Sequence, residues 1–99
     1  MTKRFVIEDE LHAEQIDEYS SIDDAWKELK RRAAIAWDQF PNRPPCGNVE
    51  TCGRNYEILE YEVSDADWRV LRRIAALTMD ASGLTWGAGA PDANAPAMP

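Results

Sequence analysis

The sequence predicts an α+β fold, in which one main helix packs on a small, mainly antiparallel sheet. Apolar residues between Ile22 and Trp37 recur at steps of three and four, which is typical of an amphipathic helix. The segments Lys3–Asp9 and Asn55–Val63 carry the β-branched and aromatic residues that strands favour. The predicted order is β-β-α-β-(short α)-β, and 99 residues leave room for one such domain.

The first three elements follow from local patterns. Lys3–Asp9 alternates as a strand, and Glu14–Tyr19 follows as a weaker strand whose irregular pattern suggests a bulge. The helix over Ile22–Trp37 is expected to begin at the N-cap Ser21 and to end before Pro41.

The second half is less regular. Residues 38–54 contain three prolines and two glycines and are predicted to form a long loop that is either ordered for a function or mobile. Asn55–Val63 has apolar residues on both faces, which indicates a central strand. The start at Ser64 repeats the capping pattern and predicts a short helix through Ile74.

The last part of the predicted domain admits two interpretations. Ala75–Ala81 is either a strand that turns at Ser82 and Gly83 or an extension of the short helix, and the strand is favoured. Residues 1–86 therefore form the domain, and the Ala, Gly and Pro composition of residues 87–99 predicts a disordered tail. The strongest predicted core residues are Trp26 and Trp68. The full predicted core is Phe5, Ile7, Ile16, Ile22, Trp26, Leu29, Ala33, Ile58, Leu59, Tyr61, Trp68 and Leu71.

Charge and hydropathy exclude several classes of function. The net charge of −7 opposes binding to nucleic-acid phosphates, and no segment has the apolar length of a membrane helix. Charge follows Met1 too soon for a secretory signal, so the cytoplasm is the expected location, with Cys46 and Cys52 reduced. Residues 1–24 hold eight acids against two bases, which makes the N-terminal hairpin an acidic surface.

The two cysteines are the first candidates for chemistry. Cys46 and Cys52 lie in the long loop, where Arg43 and Arg54 would lower a thiol pKa. A thiol or metal site needs further groups, however, and His12, the one histidine, is expected to be a surface residue of the hairpin. The leading interpretation therefore has no metal, cofactor or catalytic residue, and small apolar packing is the ordinary role of reduced cysteines.

One segment resembles other proteins. The run Cys52–Tyr61, preceded by Pro41–Cys46, is similar to a segment shared by small uncharacterised bacterial proteins with a Cys-Gly-Arg-x-Tyr-Glu-Ile pattern. The resemblance implies a recurring fold and carries over no catalytic residue.

Function is therefore expected to be binding rather than catalysis. The leading hypothesis is a small accessory protein that contacts a protein partner through the loop of residues 38–55 or through the acidic hairpin. The alternative is a thiol-dependent redox or metal-binding protein that uses Cys46 and Cys52. The sequence leaves the oligomeric state open. The candidate binding residues are Trp37, Asn42, Arg43, Cys46, Asn48, Cys52 and Arg54.

Overall fold

The computed structural model describes residues 2–46, 52–88 and 90, and it has one helix and a five-stranded antiparallel sheet in that part of the chain. The predicted α+β class is confirmed. Spatially the strands run β2-β1-β3-β4-β5. The elements are β1 (Thr2–Asp9), β2 (Glu14–Tyr19), α1 (Ile22–Ala33), β3 (Arg54–Ser64), β4 (Asp67–Asp80) and β5 (Gly83–Trp86).

The hydrophobic core lies between α1 and one face of the sheet. Trp26 and Leu29 of α1 are buried against inward-facing residues of the strands, among them Ile7 and Ile58, which are directly paired across β1 and β3. Trp86 of β5 packs beside Trp26, with ring centroids 6.4 Å apart. The helix therefore closes one face of the sheet.

Several local predictions are confirmed. Ser21 caps α1, because its Oγ accepts the Asp24 N–H at 3.1 Å. The bulge in β2 falls at Ile16, since Ile7 pairs with Asp17 while the next residue, Glu8, pairs with Gln15. The strand predicted at Asn55–Val63 corresponds to β3 and lies at the centre of the sheet, as expected. Residues 75–80 belong to β4, so they are strand rather than helix.

The predicted short helix after Ser64 is wrong. Ser64 pairs directly with Asp67, so the capping pattern forms a tight hairpin instead, and β4 runs on without interruption. The non-local reason is a set of ion pairs between the acids of β3 and the arginines of β4. These are Arg69 with Glu62 at 2.7 Å, Arg72 with Glu60 at 2.6 Å and Arg73 with Glu57 at 3.1 Å.

The prediction of the core is also wrong for two residues. Trp68 and Leu71 are 48% and 40% exposed, because Trp68 lies on the face of the sheet away from α1, where it contacts Tyr61, and Leu71 is the extra residue of a bulge in β4 between Val70 and Arg72. Tyr61 is half-buried, and Ile16, Ile22 and Ala33 pack at the margin of the core. The prediction missed other buried residues. These are Val6, Ala25, Cys52, Tyr56, Ile74, Ala76, Leu77, Met79 and Ala90.

The helix ends four residues earlier than predicted, at Ala33, and β5 was not predicted as a separate strand. After β5, the Gly87 N–H donates to the Ala76 carbonyl at 2.7 Å, and Ala90 is buried in the core. Most of the predicted disordered tail, residues 91–99, lies outside the described residues. Within the described ranges, no helix has the length and apolar character needed to cross a bilayer.

Candidate metal and thiol site

Three side chains from separate parts of the sequence converge at one end of the sheet. His12 comes from the loop between β1 and β2, Cys46 from the segment after α1, and Cys52 from the residues just before β3. His12 Nε2 lies 3.5 Å from the sulfur of each cysteine. Their ligand-type atoms all lie within 4.8 Å of one another.

The pairing of β1 with β3 explains this convergence. Because the two strands are antiparallel, the end of β1 lies beside the start of β3, with Asp9 opposite Tyr56. The Glu10 N–H extends the pairing by donating to the Asn55 carbonyl at 2.9 Å. The hairpin loop that follows β1 is therefore held against the residues that precede β3.

A buried carboxylate orients the histidine. Asp9 is fully buried, and its Oδ2 lies 2.5 Å from His12 Nδ1. A carboxylate at this position favours the tautomer with the proton on Nδ1, which leaves the Nε2 lone pair directed at the two sulfurs. The histidine is thus positioned as a metal ligand or as an acceptor of a thiol proton.

The charge of Asp9 is stabilised by its neighbours. Burial alone would raise the pKa of this carboxyl, but hydrogen bonds from the Asn55 backbone, His12 and Arg54 outweigh burial and hold the pKa below its usual value. Arg54 Nη1 lies 2.9 Å from Asp9 Oδ2 and 2.8 Å from Glu14 Oε1. The buried acid is therefore paired with a buried base, as buried charges require.

Arg54 also holds the loop that leads to Cys46. Its Nε donates to the Asn42 carbonyl at 2.9 Å, and its Nη2 donates to the Arg43 carbonyl at 2.8 Å. One guanidinium therefore connects the β1–β2 hairpin with the segment after α1. This contact fixes the position from which the chain approaches Cys46.

Asn42 fixes the other side of the same loop. Its Nδ2 donates to the carbonyls of Arg32, Ile35 and Ala36 at 2.8 to 3.3 Å, and its Oδ1 accepts the Tyr56 hydroxyl at 3.1 Å. The Arg32 and Ala36 carbonyls also accept backbone N–H groups, from Ile35 at 3.0 Å and from Gln39 at 3.1 Å, so the amide reinforces the turns that follow the end of α1 at Ala33. The buried amide therefore caps the end of α1 and turns the chain toward the site.

The two cysteines differ in their environment. Cys46 is exposed, whereas Cys52 is buried, and their sulfurs lie within bonding distance of one another. Their Cα atoms are 6.3 Å apart, inside the range that a disulfide spans. The backbone is thus compatible with a disulfide, and small side-chain rotations would let the reduced pair share a metal ion.

The structure separates the predicted binding residues into groups. Cys46 and Cys52 belong to the cluster, while Asn42 and Arg54 are buried and act on the loop rather than at the surface. Arg43 presents an exposed side chain, and Trp37 packs partly buried against the core. Asn48 lies outside the described residues.

Two residues of the cluster were not expected. His12 was predicted to be a surface residue, but its side chain is 19% exposed and contacts both cysteines. Asp9 follows Phe5 and Ile7 at a spacing of two, which placed its carboxylate on the core-facing side of β1. That inward-facing acid was the sequence signal for a polar site at the end of this strand.

Comparison with models of known protein families, with curated proteins and with solved structures finds no match for this chain. The function is therefore argued from the chemistry of the site and not from homology.

Proposed function

We propose that the protein binds a zinc ion through Cys46, Cys52 and His12. The observation that carries this proposal is the equal separation of 3.5 Å between His12 Nε2 and each sulfur. In a tetrahedral site with Zn–N near 2.1 Å and Zn–S near 2.3 Å, a nitrogen and a sulfur ligand lie about 3.6 Å apart and two sulfur ligands about 3.8 Å apart, so the two sulfurs, which lie within bonding distance here, would separate on reduction to admit the ion. Thiolate and imidazole are also the ligands that zinc prefers.

The surroundings of the histidine support the same function. Histidines that bind zinc usually donate their other ring N–H to a carboxylate or carbonyl, which fixes the ring and increases the basicity of the ligand. Asp9 supplies this carboxylate from a fully buried position. Arg54 in turn holds Asp9, so the support extends one residue further into the sheet.

The ion would act as a clamp. The chain between α1 and β3 carries both cysteines, and the histidine lies on the β1–β2 hairpin. A shared metal would fasten this segment to the hairpin and stabilise the end of the sheet by its binding energy. The described residues supply three ligands, and the fourth position of the tetrahedron would be taken by a water molecule or a further residue.

The test is metal binding by the reduced protein. We expect one equivalent of Zn²⁺ in a native mass spectrum, and with Co²⁺ as probe an absorption spectrum that combines thiolate charge transfer with tetrahedral bands. Cys46→Ser, Cys52→Ser and His12→Gln should each weaken Zn²⁺ binding, whereas Arg43→Ala, which changes an exposed side chain of the same loop, should not. Reduced wild-type protein that binds neither metal would refute the proposal.

A second candidate function is thiol–disulfide exchange, favoured by the 6.3 Å between the Cα atoms of the two cysteines, which suits a disulfide, and by the exposure of Cys46. A thiol of an external dithiol would give its proton to His12 Nε2 as its sulfur attacks Cys46, and Cys52 would leave as a thiolate that takes this proton back from His12. The second thiol of the reductant would then release Cys46 and leave with a disulfide of its own. His12 Nε2 lies within reach of both sulfurs.

The reduction potential distinguishes this candidate from a purely structural bridge. Disulfides that exchange have potentials above about −300 mV, whereas structural bridges resist reduction below that value. The metal-free protein is equilibrated with dithiol buffers of known potential. Mass spectrometry then gives the ratio of the reduced form to the disulfide form, which is two hydrogens lighter, and this ratio gives the reduction potential. A value below about −300 mV would reject exchange as the function.

A further inference from the structure

The face of the sheet opposite α1 contains an open groove of about 560 Å³. Tyr61 and Trp68 line one side of it, residues 15–18 of β2 line the other side, and Val6 lies between them. Val6 alternates with Phe5 and Ile7, which face the helix, and so belongs to the opposite face of β1. This groove is separate from the cysteine and histidine cluster.

The aromatic side of the groove is open to a ligand. Trp68 is 48% exposed although it is a large apolar side chain, and it packs edge-on against Tyr61 with ring centroids 5.4 Å apart. The contact with Tyr61 restricts the indole and limits the entropy that a ligand would have to remove on binding. Exposed aromatic residues in a groove are typical of recognition surfaces.

The other side of the groove is acidic. Asp17 and Glu18 belong to the lining, whose described residues include no lysine or arginine, and the whole chain carries a net charge of −7. Glu18 already accepts a hydrogen bond from the guanidinium of Arg4, with Nε and Oε2 3.2 Å apart. Arg4 lies directly opposite Tyr61 in the pairing of β1 with β3, so a cationic ligand would share the Glu18 carboxylate with this guanidinium.

We propose that this groove binds a lysine or arginine side chain of a protein partner. A cation over an indole or phenol ring is attracted by the negative face of the ring, and nearby carboxylates add to that attraction. Val6 lies between the two sides but is only 5% exposed, so the aliphatic part of such a side chain would pack mainly against the exposed Trp68 indole. The proposal gives the acidic hairpin a defined contact, and it does not depend on zinc binding.

Charge decides against a second copy of the chain as the occupant. Two copies that met through this face would bring the Asp17 and Glu18 carboxylates of both chains together, each from a protein of charge −7. Like charges at an interface oppose association, whereas a basic segment is drawn to the same surface. The occupant that fits the groove is therefore cationic.

The test is a titration followed by the indole N–H resonances of the full-length protein, with a capped tri-arginine peptide as probe. A capped tri-citrulline peptide, similar in shape but uncharged, is the control ligand. We expect saturable shifts of the Trp68 resonance with tri-arginine, weaker at higher salt, and none with tri-citrulline. Trp68→Ala and Glu18→Gln should each weaken binding of the peptide by about threefold or more. Because Trp68→Ala lacks the indole signal, its titration is followed through the backbone amides of residues 15–18.

Phe40→Ala is the matched control, because Phe40 is 90% exposed and does not line the groove. It should leave the affinity unchanged. Peptide shifts that spread over all acidic surfaces, or that survive Trp68→Ala at full strength, would overturn the proposal. Trp68 shifts that depend on protein concentration without peptide would overturn it in favour of self-association.

Discussion

The Oδ2 atom of Asp9 lies 2.5 Å from Nδ1 of His12, three residues away in the loop between β1 and β2. Asp9 is fully buried and is the last residue of β1, so its position is fixed by the sheet. The contact therefore restricts the orientation of the His12 ring in the loop. The other nitrogen of His12 faces two sulfurs. This short contact connects the fold with the chemistry that the site offers, and the first prediction tests it.

Asp9→Asn should lower the affinity of the reduced protein for Zn²⁺ by about 10- to 100-fold, the usual effect of losing a carboxylate behind a ligand histidine. Competition with a chromophoric chelator measures the affinity. Asp17→Asn changes an exposed acid of the same hairpin and should leave it unchanged. Equal affinities for wild type and Asp9→Asn would show that His12 needs no carboxylate partner.

Arg54→Ala should destabilise the protein by about 3–5 kcal/mol, because it leaves the buried Asp9 carboxylate without its guanidinium. Arg43→Ala removes an exposed side chain of the same loop and should cost less than about 0.5 kcal/mol. Urea unfolding of both variants with reductant and excess Zn²⁺ gives the comparison. Similar losses would contradict the structural role of Arg54.

Asn42→Ala should cost at least about 2 kcal/mol, since three carbonyls at the end of α1 and the Tyr56 hydroxyl lose a buried partner. Asn55→Ala is the matched control. Its amide donates to Glu10 at the surface, and the expected cost is below about 1 kcal/mol. Chemical denaturation distinguishes the two variants, and an equally small loss for both would show that α1 does not need this cap.

Trp26→Ala should cost about 3–5 kcal/mol because the indole is buried between α1 and the sheet. Trp68→Ala should cost less than half as much, since half of that side chain is already in water. Thermal and urea unfolding of the two variants report the difference. A larger loss for Trp68→Ala would mean that the outer face of the sheet is covered.

Glu60 connects stability to pH. Its carboxylate accepts hydrogen bonds from Arg72 at 2.6 Å and from Lys3 at 3.0 Å, and these contacts lower its pKa below the ordinary value of 4.5. A carboxyl with a lowered folded-state pKa stabilises the protein above its unfolded pKa. That contribution is lost as the pH falls from about 4.5 through the lower folded-state pKa.

We therefore expect the stability difference between wild type and Glu60→Gln to be constant from pH 7 to about 5 and to shrink below about pH 4.5. Urea unfolding at pH 7, 5, 4 and 3 measures it. Phe40→Ala, which removes an exposed side chain without a titratable group, is the control, and its stability difference from wild type should not change over this pH range. A difference that stayed constant down to pH 3 would place the pKa of Glu60 at its unfolded value.

The repeated capping pattern shows how far local signals reach. Ser21 and Ser64 are each followed by an aspartate three residues on, yet the first begins a helix and the second precedes a hairpin. After Ser21 the apolar residues follow the helical period, so cap and period agree. After Ser64 the arginines of β4 find acids on β3, and such cross-strand pairs outweigh a weak local preference.

The sequence by itself determined the class of the fold, the start of α1, the two N-terminal strands with their bulge and the central place of β3, because these features follow from period and capping within short segments. Only the tertiary structure brought His12 to Cys46 and Cys52, more than 30 residues away. The antiparallel register of β1 and β3 sets that meeting, and Arg54 and Asn42 hold the loop in place. Such contacts between distant segments depend on strand order, which no local pattern encodes.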